Sequence, residues 1–220
     1  RLLIVGGGYI GLEAAATARK FGVDVTLVEI EERILKRVAA KETSDYIRSL
    51  HISNGVKIKE AIGLDKLEIV GEKVVNASLT DGSDINVDFV IVGIGITPNT
   101  YLAEGANLKI NNGILINEKC QTSVSNIYAA GDCTSFKYKN TLVRLESVGN
   151  AIDQATTVAQ NIMKQNTSYT PKPWFWSDQY DLKLQIAGLN TGYDEVVVRK
   201  GESRQVSHWY YKGQSLLAVD

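Results

Sequence analysis

Apolar residues along this chain follow three rhythms, and each change of rhythm marks a change of architecture. The first is the uninterrupted run. Leu2-Leu3-Ile4-Val5 and Val23–Glu29 (VDVTLVE) are rich in branched side chains and carry almost no polar break, the pattern of strands covered on both faces. Between them an Ala-rich helical stretch passes through Glu13-Ala14-Ala15-Ala16 to Lys20, with Gly22 placed to end it. Together these segments predict a βαβ unit within about 30 residues. A second helical stretch, Glu42 to Leu50, stops near Ser53-Asn54-Gly55, and Val56–Lys59 follows as a strand. From Leu64 to Asn86 the second rhythm takes over. Apolar and polar residues alternate, broken by Gly71 and Asp81-Gly82, which predicts an antiparallel meander. Phe89-Val90-Ile91-Val92 then returns to the buried-strand type and runs into Gly93-Ile94-Gly95 and Thr97-Pro98. The fold class is therefore α/β, a doubly wound Rossmann-like nucleotide-binding domain with an antiparallel β insertion.

Past Asn112-Gly113, Ile114–Ile116 and Ile127–Ala130 read as further strands, the second ending at Gly131-Asp132. Ser147 to Lys164 is a long helix pattern, and Pro171 and Pro173 mark a boundary. Beyond them lies the third rhythm, short strands only: Leu182–Ala187, Glu195–Arg199, Val206–Tyr211 and Leu216–Val219. This predicts a mainly β module, different in kind from what precedes it. Arg1 enters a strand at once and Ser215–Asp220 is still strand-like, so the expectation is a middle piece of a longer protein.

Composition narrows the function classes. With 44% hydrophobic residues, 22% charged and a net charge of −1, the chain has no basic surplus for nucleic acid or anionic lipid. No apolar run approaches the roughly 20 residues that span a bilayer, and no secretory leader is visible. Cys120 and Cys133 are the only cysteines and His51 and His208 the only histidines. That excludes a disulfide scaffold and a cysteine-built iron–sulfur cluster, argues against a metal site, and fits a reducing cytoplasm.

The chemistry starts at Gly6-x-Gly8-x-x-Gly11, placed between a strand and a helix. In that setting the first glycine allows a tight turn, the second lets a pyrophosphate approach the backbone, and the third lets helix pack on strand. The phosphates would meet the free N–H groups and positive end of the helix. Glu29, at the end of the next strand and 18 positions after Gly11, is placed to accept hydrogen bonds from an adenosine ribose and to repel the extra phosphate of NADP. Glu31 and Glu32 push the same way, whereas Arg33 and Lys36 are cations that could accept that phosphate; the balance favours NADH. A second pattern, Thr122 to Asp132, ends in a glycine suited to close backbone approach, Gly131, and a carboxylate, Asp132, that could hold a sugar-like hydroxyl chain. Alone it reads equally well as a strand followed by an N-capping Asp.

Gly6–Glu13 (GGGYIGLE), Gly93–Asn99 (GIGITPN), Ala130–Cys133 (AGDC), Glu146–Asn150 (ESVGN) and Trp174–Tyr180 (WFWSDQY) occur in that order. In this combination the chain resembles the FAD-dependent NADH:ferredoxin reductases of bacterial oxygenase systems. The first three motifs mark the wider superfamily; the WFWSDQY block selects this branch. The resemblance implies an NADH domain over 1–117, the second half of a discontinuous FAD domain over 118–168, and the start of a C-terminal reductase domain over 169–220. It implies FAD and NADH as cofactors and a ferredoxin or rubredoxin as electron acceptor. It also implies that Asp132, with Gly131, meets the FAD ribityl chain and that the backbone at Val148 faces the flavin. Tyr9, Ile10 and Gly95 would lie along the nicotinamide half of NADH. Glu13 would be the polar group beside hydride transfer, in the catalytic role. Trp174 and Trp176 would lie near the flavin or the acceptor, with packing of the β module as the competing reading. Their strand-like setting puts both on one face and Phe175 on the other. Cys133 has no partner at CxxC spacing, so a dithiol of the thioredoxin-reductase type is excluded, and both cysteines are expected to be small buried hydrophobes. The family's other FAD loop is not in these residues, so the 220 residues are expected to bind NADH but hold FAD poorly. Rival readings keep the scaffold with dioxygen or nitrite as acceptor, or make it an NADH-binding interaction protein of the apoptosis-inducing-factor type.

Overall fold

The leading apolar run becomes β1 (Leu2–Val5), and the Ala-rich stretch becomes α1 (Tyr9–Lys20). In the computed structural model, which describes all 220 residues, β2 (Val25–Glu29), α2 (Lys41–Ser53) and β3 (Lys57–Glu60) follow. The alternating stretch forms the antiparallel ribbon β4 (Leu64–Val70), β5 (Lys73–Leu79) and β6 (Asp84–Asn86), and β7 (Phe89–Val92) returns to the main sheet. That sheet is parallel with order β3-β2-β1-β7. Its central strands are apolar throughout β1 and at all but Thr26 and Glu29 of β2, because both faces are covered. Leu2 and Ile4 join Leu12, Ala15, Val25, Leu27 and Ile47 in one core, while Leu3 and Val28 join Ala77, Leu79 and Val87 of the ribbon in another. Each fully buried Leu or Ile contributes about 1.5–3 kcal/mol. One expectation is corrected here. β7 is an edge strand, with Phe89 43% and Val92 57% exposed, so apolar content alone did not reveal its position in the sheet.

The chain divides into two compact units, Arg1–Gly95 with Trp176–Asp220, and Ile96–Phe175. The second contains α3 (Tyr101–Gly105), β8 (Ile114–Leu115), β9 (Thr134–Tyr138), β10 (Thr141–Val143) and α4 (Val148–Ile162). Its sheet has the order β10-β9-β8, with β8 parallel to β9. The β9–β10 turn places Lys139 and Asn140 at φ 45° and 64°, the left-handed pair of a type I′ hairpin. Phe136 packs edge-on against Tyr169, ring centroids 5.5 Å apart, and the Tyr169 hydroxyl donates to Asn150 Oδ1 at 2.6 Å. The strand expected over Ile127–Ala130 does not form. Thr122 Oγ1 donates to the Val124 and Ile127 carbonyls and Ile127 N to the Val124 carbonyl, closing a turn that leaves only a bridge between Gln121 and Tyr128. Short polar side chains that bond nearby backbone compete with a ladder in this way. Asp132 therefore precedes a strand, β9, rather than ending one.

From Trp176 the chain is again in the first unit, and β11 (Trp174–Gln179), β12 (Leu182–Gly188), β13 (Glu195–Lys200), β14 (Val206–Lys212) and β15 (Ser215–Val219) form one sheet in the order β11-β12-β15-β14-β13. It is fastened to the parallel-sheet domain by buried polar contacts. The Ala40 amide donates to the Tyr210 hydroxyl at 3.0 Å, and Thr43 Oγ1 bonds His208 Nδ1 and Asp220 Oδ2, each at 2.8 Å.

Candidate functional site

The turn between β1 and α1 is closed by backbone, not by side chains. Gly6 sits at φ 108°, and a Cβ there would lie 2.4 Å from the Gly93 carbonyl oxygen; at Gly11 it would lie 2.1 Å from that of Gly6. Gly8 is the opposite case, facing open space where its Cβ would stand. It is also the N-cap of α1 and offers no side chain to the first-turn N–H groups, which suit an anion. Glu29 reaches back from the end of β2. Its Oε2 accepts from the Gly7 amide at 2.7 Å and its Oε1 from the Glu31 amide at 2.8 Å. A carboxylate has roughly four lone-pair sites, so this bracing leaves capacity for a ligand hydroxyl. Gly6, Gly8, Glu29, Glu31, Arg37 and Ile94 line a cleft of about 320 Å³.

The cations weighed from the sequence are turned to other tasks. Arg33 donates to Ser44 Oγ and to the Ala39 carbonyl, and Lys36 pairs with Glu31 and Glu32 at 3.2 and 3.4 Å. The cation at the cleft is Arg37, which reaches the Ile94 carbonyl at 3.4 Å and lies beside Gly95. Nothing in the sequence marked it, because Leu35–Ala40 has no periodic pattern.

The residues expected on the nicotinamide side separate. Ile10, 63% exposed, and Glu13 line a separate groove with Phe21, Phe89 and Ile91. Tyr9 turns inward instead. Its hydroxyl is buried without a partner, and burial, reinforced by Asp220 and Tyr210, pushes its ionisation well above the usual phenol range. Glu13 Oε1 accepts a 2.6 Å hydrogen bond from Ser177 Oγ of β11, a contact between positions 164 apart that no local pattern could reveal. On β11, Trp174 and Trp176 are 44% and 40% exposed, Phe175 is half-buried and Ser177 and Gln179 are buried, the expected alternation.

The second unit builds its own turn. The Gly131 amide and Thr134 Oγ1 both donate to Gln154 Oε1, at 2.7 and 2.9 Å. Asp132 is exposed; its carbonyl accepts from Arg144, which also pairs with Glu146 at 2.5 Å. Arg144 Nε and Gln154 Nε2 are buried donors without a protein partner. Val148 opens α4 and is 56% exposed, behind the Ser147 cap that accepts from the Asn150 amide. Unpartnered donors, an exposed carboxylate and a helix N-terminus fit the hydroxyl chain and polar ring edge of a flavin nucleotide. Cys120 is buried, which pushes its thiol up to about 11, while Cys133 is half-buried and bonds the Ala130 carbonyl. No helix is long and apolar enough to cross a membrane.

A family model for pyridine nucleotide-disulphide oxidoreductases matches residues 1–155, and one for the reductase C-terminal domain matches 174–220. The chain belongs to the pyridine nucleotide-disulphide oxidoreductase family. This oxidoreductase chain is 42% identical to putidaredoxin reductase of Pseudomonas putida, over all of its own length and 53% of that protein's. It is 40% identical to rhodocoxin reductase of Rhodococcus erythropolis, over 100% and 52% of the two chains. Among solved structures, the covalent putidaredoxin reductase–putidaredoxin complex superposes with a TM-score of 0.94 at 41% identity, covering 100% of this chain and 54% of that one. A ferredoxin reductase from Rhodopseudomonas palustris does so at 0.94 and 38% identity, covering 99% and 55%. The chain spans about half the length of the curated relatives it matches.

Proposed function

We propose that the protein is an NADH-dependent flavoprotein reductase that supplies electrons to an iron–sulfur ferredoxin or a rubredoxin, in the cytoplasm, where its two free cysteines stay reduced. The observation that carries the reading is the glycine turn braced by Glu29, with its open face at Gly8. That turn would take the NADH pyrophosphate on the first-turn amides of α1, and Glu29 would accept from the adenosine ribose. Arg37 would add positive charge at the rim. Gly95 and the face of α1 bearing Ile10 and Glu13 would lie toward the nicotinamide. In the second unit Asp132 and Gly131 would hold the ribityl chain, and the N-terminus of α4 at Val148 would stabilise negative charge on the ring. Bound FAD would accept the hydride of NADH and give up its electrons singly. No side chain is required as nucleophile or base. The relatives named putidaredoxin and rhodocoxin reductases support the choice of acceptor, and the division into an NADH domain (1–117), an FAD half-domain (118–168) and a C-terminal domain (169–220) belongs to the same reading.

Trp176 tests the acceptor side. It is the more internal of two exposed tryptophans on one face of β11, and aromatics concentrate at interface hot spots. In the holoenzyme, Trp176→Ala should leave flavin reduction by NADH at the parental rate and slow reduction of the ferredoxin, the two half-reactions being separated by stopped flow. A mutant that reduces ferredoxin at the parental rate makes Trp176 a packing residue.

A further inference from the structure

Glu13 is the end of a hydrogen-bonded chain, not an isolated carboxylate. Ser177 Oγ is 2.6 Å from Glu13 Oε1, Gln179 Nε2 is 3.0 Å from Ser177 Oγ, His51 Nε2 is 2.8 Å from Gln179 Oε1, and the Tyr180 hydroxyl is 3.2 Å from His51 Nδ1. Ser177, Gln179 and His51 are essentially inaccessible to solvent, at 1%, 0% and 0% exposed.

The carboxylate sets the direction of every proton in the chain. An ionised Glu13 can only accept, so the single hydroxyl proton of Ser177 points to it. Ser177 must then accept from its other neighbour, which places the amide NH2 of Gln179 toward Ser177 and its carbonyl toward His51. That carbonyl needs a donor, so His51 carries its proton on Nε2. Nδ1 is left as an acceptor, and Tyr180 donates to it. All four bonds thus run one way, from Tyr180 through His51, Gln179 and Ser177 to Glu13. Burial favours the neutral ring this requires, lowering the His51 pKa. The chain joins α2 and β11 to α1, the helix that opens the dinucleotide turn.

We propose that Ser177, Gln179 and His51 are positioning residues that fix the Glu13 carboxylate for contact with the nicotinamide carboxamide of NADH, so that the C-terminal sheet takes part in substrate recognition. This rests on the reading of Glu13 as the polar group at the nicotinamide. Carboxylates accept well from a carboxamide NH2, and a hydrogen bond locking one oxygen in place reduces the freedom lost on binding.

ADP-ribose makes the test selective, since it shares the adenosine and pyrophosphate of NADH and lacks the nicotinamide. Calorimetry of the 220-residue chain with both ligands should show Ser177→Ala binding NADH about tenfold more weakly, the scale of one charge-assisted hydrogen bond, with ADP-ribose affinity unchanged. Ser177→Thr, which keeps the hydroxyl, should restore NADH binding. Equal losses for both ligands would show that Ser177 only supports the fold, and overturn the proposal. Glu13→Gln separates the two layers of the argument. If it weakens NADH but Ser177→Ala does not, the positioning chain fails and the reading of Glu13 stands. If Glu13→Gln binds NADH at parental strength, that reading fails and takes the proposal with it. Nitrogen-15 NMR of the unaltered chain needs no variant to fold: with only two histidines, His51 should be assignable as the Nε2–H tautomer, and an Nδ1–H form would reverse the donors and refute the chain.

Discussion

The two glycine turns of this chain, at Gly6–Gly11 and at Gly131, are held in opposite ways. In the first unit the turn is locked by main chain: the Gly6 carbonyl occupies the place of a Gly11 side chain, the Gly93 carbonyl that of a Gly6 side chain, and Glu29 bridges two amides across it. In the second unit a single main-chain bond, Thr134 N to the Gly131 carbonyl at 3.0 Å, closes the turn, and a side chain braces it: Gln154, whose oxygen takes both Gly131 N and Thr134 Oγ1 while its nitrogen stays unpartnered. The first is rigid because a Cβ added at Gly6 or Gly11 meets backbone. The second depends on polar satisfaction, so it is where a ligand can supply what the protein does not. On the proposed reading, a dinucleotide would dock on the first turn as a formed surface, whereas the second should gain order when filled.

The largest difference should appear when each turn receives a methyl group. Gly11→Ala places Cβ 2.1 Å from a carbonyl oxygen that cannot move without opening the β1–α1 turn, so a loss above about 3 kcal/mol and no measurable NADH binding are expected. Gly131→Ala meets only the Ala151 methyl at 3.5 Å and pays the left-handed conformation at φ 85°, about 1–2 kcal/mol. Thermal melts and NADH calorimetry on both variants decide it. Comparable losses would mean that the first turn is no more rigid than the second.

The acidic residues sharpen the same contrast at smaller scale. Glu29→Ala should weaken NADH about tenfold to a hundredfold, narrow the gap to NADPH, and lower the melting temperature because two amides lose their acceptor. Asp132 is exposed, so Asp132→Ala should leave melting unchanged and lower only the flavin content of the holoprotein. A melting loss in Asp132→Ala equal to that in Glu29→Ala would erase the distinction.

The two turns also differed in how well the sequence announced them. Leu2–Val5, Gly6, Gly11 and Glu29 were readable because the β1–α1–β2 unit is local: its strands are covered on both faces, its glycines follow at fixed spacing, and the acidic residue stands at the next strand end. Gly131 was visible as a motif, but its surroundings were not. The partner Gln154 sits mid-helix, where it looks like an ordinary polar residue, and the hairpin β9–β10 went unseen because Lys137, Lys139 and Asn140 break the apolar rhythm. The segment before it was misread as strand because Ile127-Tyr128-Ala129-Ala130 is apolar, while Thr122 had already committed the chain to a turn. The contacts that fasten the C-terminal sheet, such as His51 to Gln179 and Thr43 to His208, join residues more than a hundred positions apart and leave no local trace. In the sequence the two histidines served only to argue against a metal site.

Those histidines supply the subtlest way to tell the units apart. Both lie in the first unit, and the second has none. Burial lowers the pKa of each, offset in part by the Gln179 hydrogen bond at His51 and by Asp220 and Glu42 at His208. The unfolded chain takes up these protons near pH 6.5, whereas the folded chain resists them. Stability from this source is therefore complete above about pH 6.5 and falls as pH drops below it, because the unfolded state then binds more protons. Asp220 works in the other direction, since burial raises its carboxyl and protonation at low pH favours the folded state. His51→Gln, which keeps a polar side chain without the titration, isolates the histidine contribution. Hydrogen exchange at pH 7 and pH 5.5, corrected for intrinsic rates, should show amides of α2 and β11 losing protection in the parent and losing less in His51→Gln. Amides of α4 should keep theirs in both. Equal losses in α4 would mean that the acid response belongs to the whole chain and not to the buried histidines of one unit.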